Sequence, residues 1–335
     1  MDDPLTLYLM IASPNLRMTV MPVFSRDDPK YVDQLLDARF SKRGVVSGDV
    51  TVGLLAHGID SWDMSCASLA ASMLGGTLVR AEWQTPSASS LDELVIETEL
   101  VANAVDLLLV AFVDMETFGA GASVLEEIAQ GSPTKILSLR DEVYSDFSAL
   151  AHLSLLKERM GSLKNGRIVI SWAFGERFPP PSTVHSLLLI GSALGAEISV
   201  TAPPRFEPLK RVVRHADSLA GSVTVVTCNE MPPLDNDVSA VIALNWSSLD
   251  EFGDIERNRD IALKHRDWFF DETSLPSGTL FLTEPPIRTE MVASTRLLRS
   301  KANLTPLWLR RRAEILAAAM RGILEEPRGT DSQHF

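Results

Sequence analysis

Cysteine is scarce: Cys66 and Cys228 are the two in 335 residues. They fall far apart in apolar-periodic surroundings, which excludes a disulfide framework and a thiolate metal site and suits a reducing, cytoplasmic setting. Basic residues are also short, with 31 Lys and Arg against 44 Asp and Glu and a net charge of −13. No broad cationic surface is left for a phosphate backbone, so nucleic acid is excluded as a partner. Long apolar runs are missing. Leu5 to Ala12 is short and follows Asp2 and Asp3, so it is expected to be a buried strand or arm rather than a signal peptide or membrane segment. No His-x-x-His, Cys-x-x-Cys or carboxylate spacing suits a metal, and no glycine-rich loop of the nucleotide-binding kind occurs. Neither metal nor cofactor is expected. Gly75-Gly76 and Gly119-Ala120-Gly121 read as turns.

What is present is an alternation of short apolar runs with helical patterns, the mark of parallel βαβ units. Val50 to Ala56 reads as a buried strand. Trp62, Cys66, Leu69, Ala70 and Met73 then recur at helical spacing until Gly75-Gly76 stops the helix. Strands follow at Thr77 to Trp83, Leu107 to Phe112 and Lys135 to Ser138, with helices near Glu93 to Asn103 and Val124 to Ala129 between them. A helix from Asp146 to Met160 leads into a second set: a strand at Arg167 to Trp172, a helix at Ser182 to Leu194, and strands at Glu197 to Thr201, Val223 to Thr227, Val241 to Leu244 and Thr279 to Leu282. Thr305-Pro306 opens a final helix with Trp308, Ile315, Ala319 and Ile323 as its apolar stripe. Arg310, Arg311 and Arg312 in that helix read as a solvated face. The expected architecture is two doubly wound parallel-sheet α/β domains, 1–145 and 146–304, with the helix at 305–325 completing the first. No repeat, low-complexity tract or linker stands out, and the tail after Glu326 is expected to fray.

Several landmarks run in the order of the aspartate and ornithine carbamoyltransferases. Phe24-Ser25-Arg26-Asp27-Asp28 with Leu35-Leu36 resembles that family's opening helix. Leu74-Gly75-Gly76 resembles its Leu-Gly-Gly, and Glu97-Thr98 its Asp-Thr. Leu150-Ala151-His152-Leu153 with Lys157-Glu158 is similar to its interdomain helix. Ser182-Thr183-Val184-His185-Ser186-Leu187 is close to Arg-Thr-Val-His-Ser-Leu, and Pro203-Pro204 follows. Glu284-Pro285-Pro286 with Glu290 resembles the Pro-Leu-Pro loop. The resemblance covers nearly the whole chain and implies the family's two-domain fold, a homotrimer with active sites between subunits, and a small-molecule ligand between the domains.

The residues that the resemblance assigns to carbamoyl phosphate are largely replaced. The family's Ser-Thr-Arg-Thr-Arg phosphate loop aligns with Asp60-Ser61-Trp62-Asp63-Met64. Its mobile-loop lysine aligns with Leu91, its third-strand arginine with Ala111, and its His-Pro-x-Gln with Ser145-Asp146-Phe147-Ser148. Its amino-acid-binding arginines align with Ser182 and Asn245, and the histidine before Pro-Leu-Pro with Thr283. No nearby Arg or His restores most of these positions. Asp60 and Asp63 are read either as caps of the helix that starts near Trp62, or as the sign of a cleft that now takes a neutral or cationic group beside the Trp62 ring. His185, His57 and His152 are each read as packing or capping residues, with a ligand role as the alternative.

Two functions follow. In one, a repurposed interdomain cleft binds or transforms a small amino-acid-like or amine ligand without carbamoyl phosphate. Its candidate contacts are Asp60, Ser61, Trp62 and Asp63 on one wall, Ser145 at the junction, and Ser182, Thr183, His185, Asn245, Glu284 and Pro285 opposite. In the other, the chain is a non-catalytic paralogue that binds or scaffolds. True carbamoyl transfer is the remote third.

Overall fold

The computed structural model describes residues 20–21, 29–39, 50–83, 89–131 and 135–325. Leu5 to Ala12, Phe24 to Asp28 and the tail after Glu326 lie outside the described residues. Two five-stranded sheets form, parallel throughout. The first holds β1 (Val20–Met21), β2 (Thr51–His57), β3 (Thr77–Glu82), β4 (Leu107–Phe112) and β5 (Ile136–Arg140), in the order β1-β5-β4-β2-β3. The second holds β6 (Arg167–Trp172), β7 (Glu197–Ala202), β8 (Ser222–Thr227), β9 (Ala240–Leu244) and β10 (Leu280–Thr283), in the order β10-β9-β6-β7-β8. Central strands are apolar without alternation because helices cover both faces; all six residues of β4, Leu-Leu-Leu-Val-Ala-Phe, are buried.

The helices are α1 (Pro29–Leu36), α2 (Ser61–Met73), α3 (Leu91–Ala102), α4 (Ala120–Gly131), α5 (Asp146–Met160), α6 (Ser182–Ala193), α7 (Lys210–Asp217), α8 (Ile255–Ala262), α9 (Thr295–Leu298) and α10 (Trp308–Glu325). Among the described residues no helix is long and apolar enough to cross a membrane. Gly75, at φ +77°, ends α2 in the left-handed conformation that favours glycine. Helix α5 is buried from Phe147 to Leu156 and packs against α1, α6 and α10. Its far end is tied by ion pairs: Lys157 to Asp33 and Asp37 at 3.0 and 2.8 Å, and Glu158 to Arg39 and Arg311 at 2.8 and 2.7 Å.

The arginines of α10 correct the sequence reading. Arg310 is exposed, but Arg311 and Arg312 are 8% and 2% exposed. Arg311 donates to Ser154 at 2.8 Å on α5, and Arg312 to Asp63 at 2.5 Å on α2. Arginine is buried when it finds carboxylates and hydroxyls, and these partners come from other helices. Helices α7 and α8 were not picked out, because both are short and mostly polar, with Val212 and Ala216 the buried pair of α7 and Asn258, Ile261 and Ala262 the buried residues of α8.

In each sheet the chain reverses direction across one point, between β2 and β4 in the first and between β6 and β9 in the second. Loops diverge there at the strands' carboxyl ends, which is where open parallel sheets bind ligands.

Candidate functional site

A cavity of about 530 Å³ lies where the two switch points meet, a volume suited to a small molecule. One wall is Gly58 to Ser61 after β2, with Val113 and Met115 after β4 and Arg140 at the end of β5. The other is Gly175 to Pro181 after β6, Thr183 and Val184 on α6, Asn245 after β9 and Glu284 to Pro286 after β10. Gly58 sets the first wall: its φ is +67°, and a Cβ there would stand 2.0 Å from the Val113 carbonyl oxygen. The chain can turn out of β2 at that point only with glycine.

That turn delivers Asp60 to the N-terminus of α2. Its Oδ1 accepts from the backbone N–H of Trp62 at 2.8 Å and of Asp63 at 3.1 Å, while Asp63 Oδ2 accepts from the N–H of Asp60 at 3.5 Å. This is a reciprocal capping box. The helix carries its own anion.

Asp63 turns inward and is 1% exposed. Its Oδ1 meets Arg312 at 2.5 Å and its Oδ2 meets Arg140 at 3.2 Å. Burial alone would raise its pKa, but the two guanidiniums and the hydrogen bonds outweigh that and hold it below the ordinary carboxylate range. Asp63 is thus consumed by the protein, which corrects the expectation that it would face a ligand. Arg140 also donates to Ser182 Oγ at 3.3 Å, joining the first sheet to the start of α6.

Across the cavity the Thr183 hydroxyl donates to Glu284 Oε2 at 3.4 Å, and His152 Nε2 lies 3.0 Å from Glu284 Oε1. His152 is fully buried. Asn245 Nδ2 donates to the Ala173 carbonyl at 2.9 Å, and its Oδ1 is buried with no hydrogen-bond partner among the described residues. The lining carries three carboxylates, Asp60, Glu176 and Glu284, and three guanidiniums, Arg140, Arg177 and Arg288. Arg288 and Glu176 pair with each other at 3.2 Å on the exposed rim. The expected reversal of charge is therefore absent. The lining is balanced.

Of the residues singled out in the sequence, Asp60, Ser61, Thr183, Asn245, Glu284 and Pro285 line the cavity, whereas Trp62, Asp63, Ser145, Ser182 and His185 do not. Trp62 is 36% exposed. The N–H of Ser145 donates to Ser186 Oγ at 3.0 Å, and the Ser145 hydroxyl donates to Ser148 Oγ at 3.0 Å. His185 Nδ1 lies 2.9 Å from the Val143 carbonyl oxygen, and its Nε2 accepts from the Leu209 N–H at 3.0 Å. Burial pushes its pKa down to about 4, so it stays neutral and holds α6 to its neighbours. Among the described residues no group of three or more His, Cys, Asp or Glu could hold a metal ion.

A crystal structure of a mutant N-acetyl-L-ornithine transcarbamylase complexed with PALAO superposes with a TM-score of 0.78 at 19% identity, over 89% of this chain and 98% of that one. The fold is that of a carbamoyltransferase. A variant of the same enzyme complexed with carbamyl phosphate and N-succinyl-L-norvaline gives 0.77 at 19% identity, over 89% of this chain and 98% of that one. No protein-family model matches the chain. By sequence it is 24% identical to the ornithine carbamoyltransferase of Rhodococcus opacus over 248 residues, 70% of this chain and 75% of that protein. It is 23% identical to that of Prochlorococcus marinus over 71% of each. The proteins the chain is similar to, by sequence and by fold, are carbamoyltransferases.

Within the carbamoyltransferase fold, Arg140, Glu176, Arg177 and Arg288 are charged lining residues that the sequence reading does not single out, and Arg140 adds a cation beside the replaced positions. A signal existed: Ile136 to Arg140 ends in arginine at the carboxyl end of a parallel strand, a position that faces ligands. His152 was noted, but its bond to Glu284, 132 residues away, appears only in three dimensions.

Proposed function

We propose that the interdomain cleft binds, and in an enzyme would transform, a small amine-bearing or amino-acid-like ligand without carbamoyl phosphate seated at the start of α2. The observation that carries this reading is the capping box. An oxyanion docks on a helix N-terminus by taking its free N–H groups; here the N–H groups of Trp62 and Asp63 already donate to Asp60. A phosphate would have to displace that carboxylate and then sit against it, a repulsion of about 4 kcal/mol at 4 Å for an effective dielectric of 20.

Glu284 is the group that favours an ammonium, because its carboxylate is held in place by Thr183 and His152 while 23% of its side chain stays open to the cleft. Asp60 and Ser61 supply further acceptors across the cavity. The activity named for the relatives, ornithine carbamoyl transfer, is the reading this arrangement disfavours. The protein is proposed to work as a cytoplasmic homotrimer, with the domain boundary at the start of α5 and α10 completing the first domain.

Calorimetry with a panel of primary amines and amino acids tests the reading. Binding of at least one amine, weakened tenfold or more in Glu284→Gln, is expected. Amine affinities unchanged in Glu284→Gln would remove it in favour of a non-catalytic scaffold.

A further inference from the structure

We propose that Arg140 is an oxyanion site on the floor of the cleft, so that the ligand is one zwitterion whose carboxylate or phosphate meets Arg140 while its ammonium meets Glu284. The ammonium end rests on the function proposed above; the Arg140 end stands by itself.

The floor of the cleft holds two guanidiniums around one carboxylate. Asp63 is engaged by Arg312 at 2.5 Å on one oxygen and by Arg140 at 3.2 Å on the other, while Arg312 also feels the Glu284 carboxylate and Arg140 that of Asp141. Arg312 is 2% exposed and out of reach. Arg140 lines the cavity with its side chain 15% open, so its guanidinium is the one of the two that a ligand can meet. A guanidinium has five N–H donors. One on Nη1 goes to Asp63 and one on Nη2 to Ser182 Oγ, so each Nη keeps another, an arrangement suited to a two-oxygen acceptor. Arg140 meets the first turn of α2 through the Asp63 side chain, and it is its remaining N–H groups, not the backbone N–H groups that Asp60 has closed, that would receive the anion. Of the other lining arginines, Arg288 is held by Glu176 at the rim, and Arg177 is exposed.

The two charges are brought close by consecutive residues of α6. Ser182 receives Arg140, and Thr183 donates to Glu284. Successive helical residues project about 100° apart, so cation and anion stand on one turn of α6 without pairing with each other, and a short zwitterion is the ligand expected to bridge them.

Carboxylate and phosphate share this chemistry, and probes of matched length separate them. Calorimetry on the full chain uses propylamine, β-alanine and 2-aminoethylphosphonate. Both zwitterions are expected to bind at least tenfold more tightly than propylamine, with the stronger identifying the oxyanion. That advantage should shrink with rising ionic strength, vanish in Arg140→Gln, survive in part in Arg140→Lys and persist in Arg310→Gln, a surface arginine outside the cavity. The Arg140→Lys variant and the salt series keep the test intact if Arg140→Gln does not fold. Equal affinity for the three probes in the natural protein overturns the oxyanion site and leaves the amine reading standing. Zwitterion affinity that is lost in Arg140→Gln but unchanged in Glu284→Gln does the reverse. Binding by none of the three overturns both.

Discussion

Oδ1 of Asp63 accepts from Nη2 of Arg312 at 2.5 Å, joining the first turn of α2 to a helix 249 residues further on. Both side chains are almost wholly buried, at 1% and 2% exposure. Arg312 also lies over the Trp308 ring, 5.3 Å from its centroid, and that ring packs on His152, which holds Glu284. The floor of the cleft and its Glu284 wall are therefore one contiguous structure. Removing one member of a buried pair strands the other charge, which costs about 3–5 kcal/mol.

The two neighbouring aspartates should accordingly behave very differently. Asp63→Asn is expected to lower unfolding stability by about 3 kcal/mol, whereas Asp60→Asn should stay within about 0.5 kcal/mol, because Asn caps a helix as well as Asp does. Urea denaturation of the two single variants makes the comparison. Equal costs would mean that the Arg312 pair does not hold α2 to α10.

Carbamoyl phosphate should bind no more tightly than about 0.1 mM, roughly 5.5 kcal/mol on the affinity scale. The reason is the occupied N-terminus of α2 rather than a shortage of positive charge. In Asp60→Ala, with the N–H groups of Trp62 and Asp63 uncapped, its affinity should rise, and a calorimetric titration of both proteins decides.

Glu142 should make the fold less stable as pH rises. Its side chain is buried, with Oε1 accepting from the Gly121 N–H at 2.6 Å and Oε2 without a hydrogen-bond partner among the described residues. Burial, only partly offset by that bond, pushes its pKa up to about 8. Because the folded value exceeds the ordinary one of about 4.3, the folded state retains a proton that the unfolded state has lost. Stability then falls between those two values and levels off above the higher one. Asp141, raised by burial to about 7, acts in the same direction up to that pH. Glu142→Gln should match the natural protein near pH 5 and melt higher at pH 8. Identical melting temperatures at both pH values would refute the assignment.

Gly58→Ala should cost more than about 2 kcal/mol, since it adds both a Cβ clash with the Val113 carbonyl and a left-handed backbone to a non-glycine residue. Gly119→Ala, also at positive φ but with nothing within 4 Å of the added Cβ, should cost less. Thermal unfolding of the two variants separates clash from backbone strain.

The chain's own pattern determined the architecture. An unbroken apolar run as short as Leu107 to Phe112 suits a strand covered on both faces, and α5, β4 and β6 begin and end where periodicity placed them. The caps were legible too, because a cap is a local matter: Asp60 and Asp63 stand three residues apart, the spacing of a capping box. Tertiary structure decided which charges remain for a ligand. Nothing within α2 reveals that Asp63 is consumed by Arg312, nor within α10 that Arg311 and Arg312 are buried, because each depends on a partner more than 150 residues away. Arg140 likewise gained its place in the cleft from the sheet order, which sets the end of β5 beside α2 and α6. Periodicity acts over a few residues and so survives in the sequence; ion pairing acts through space, and only the folded chain states who meets whom.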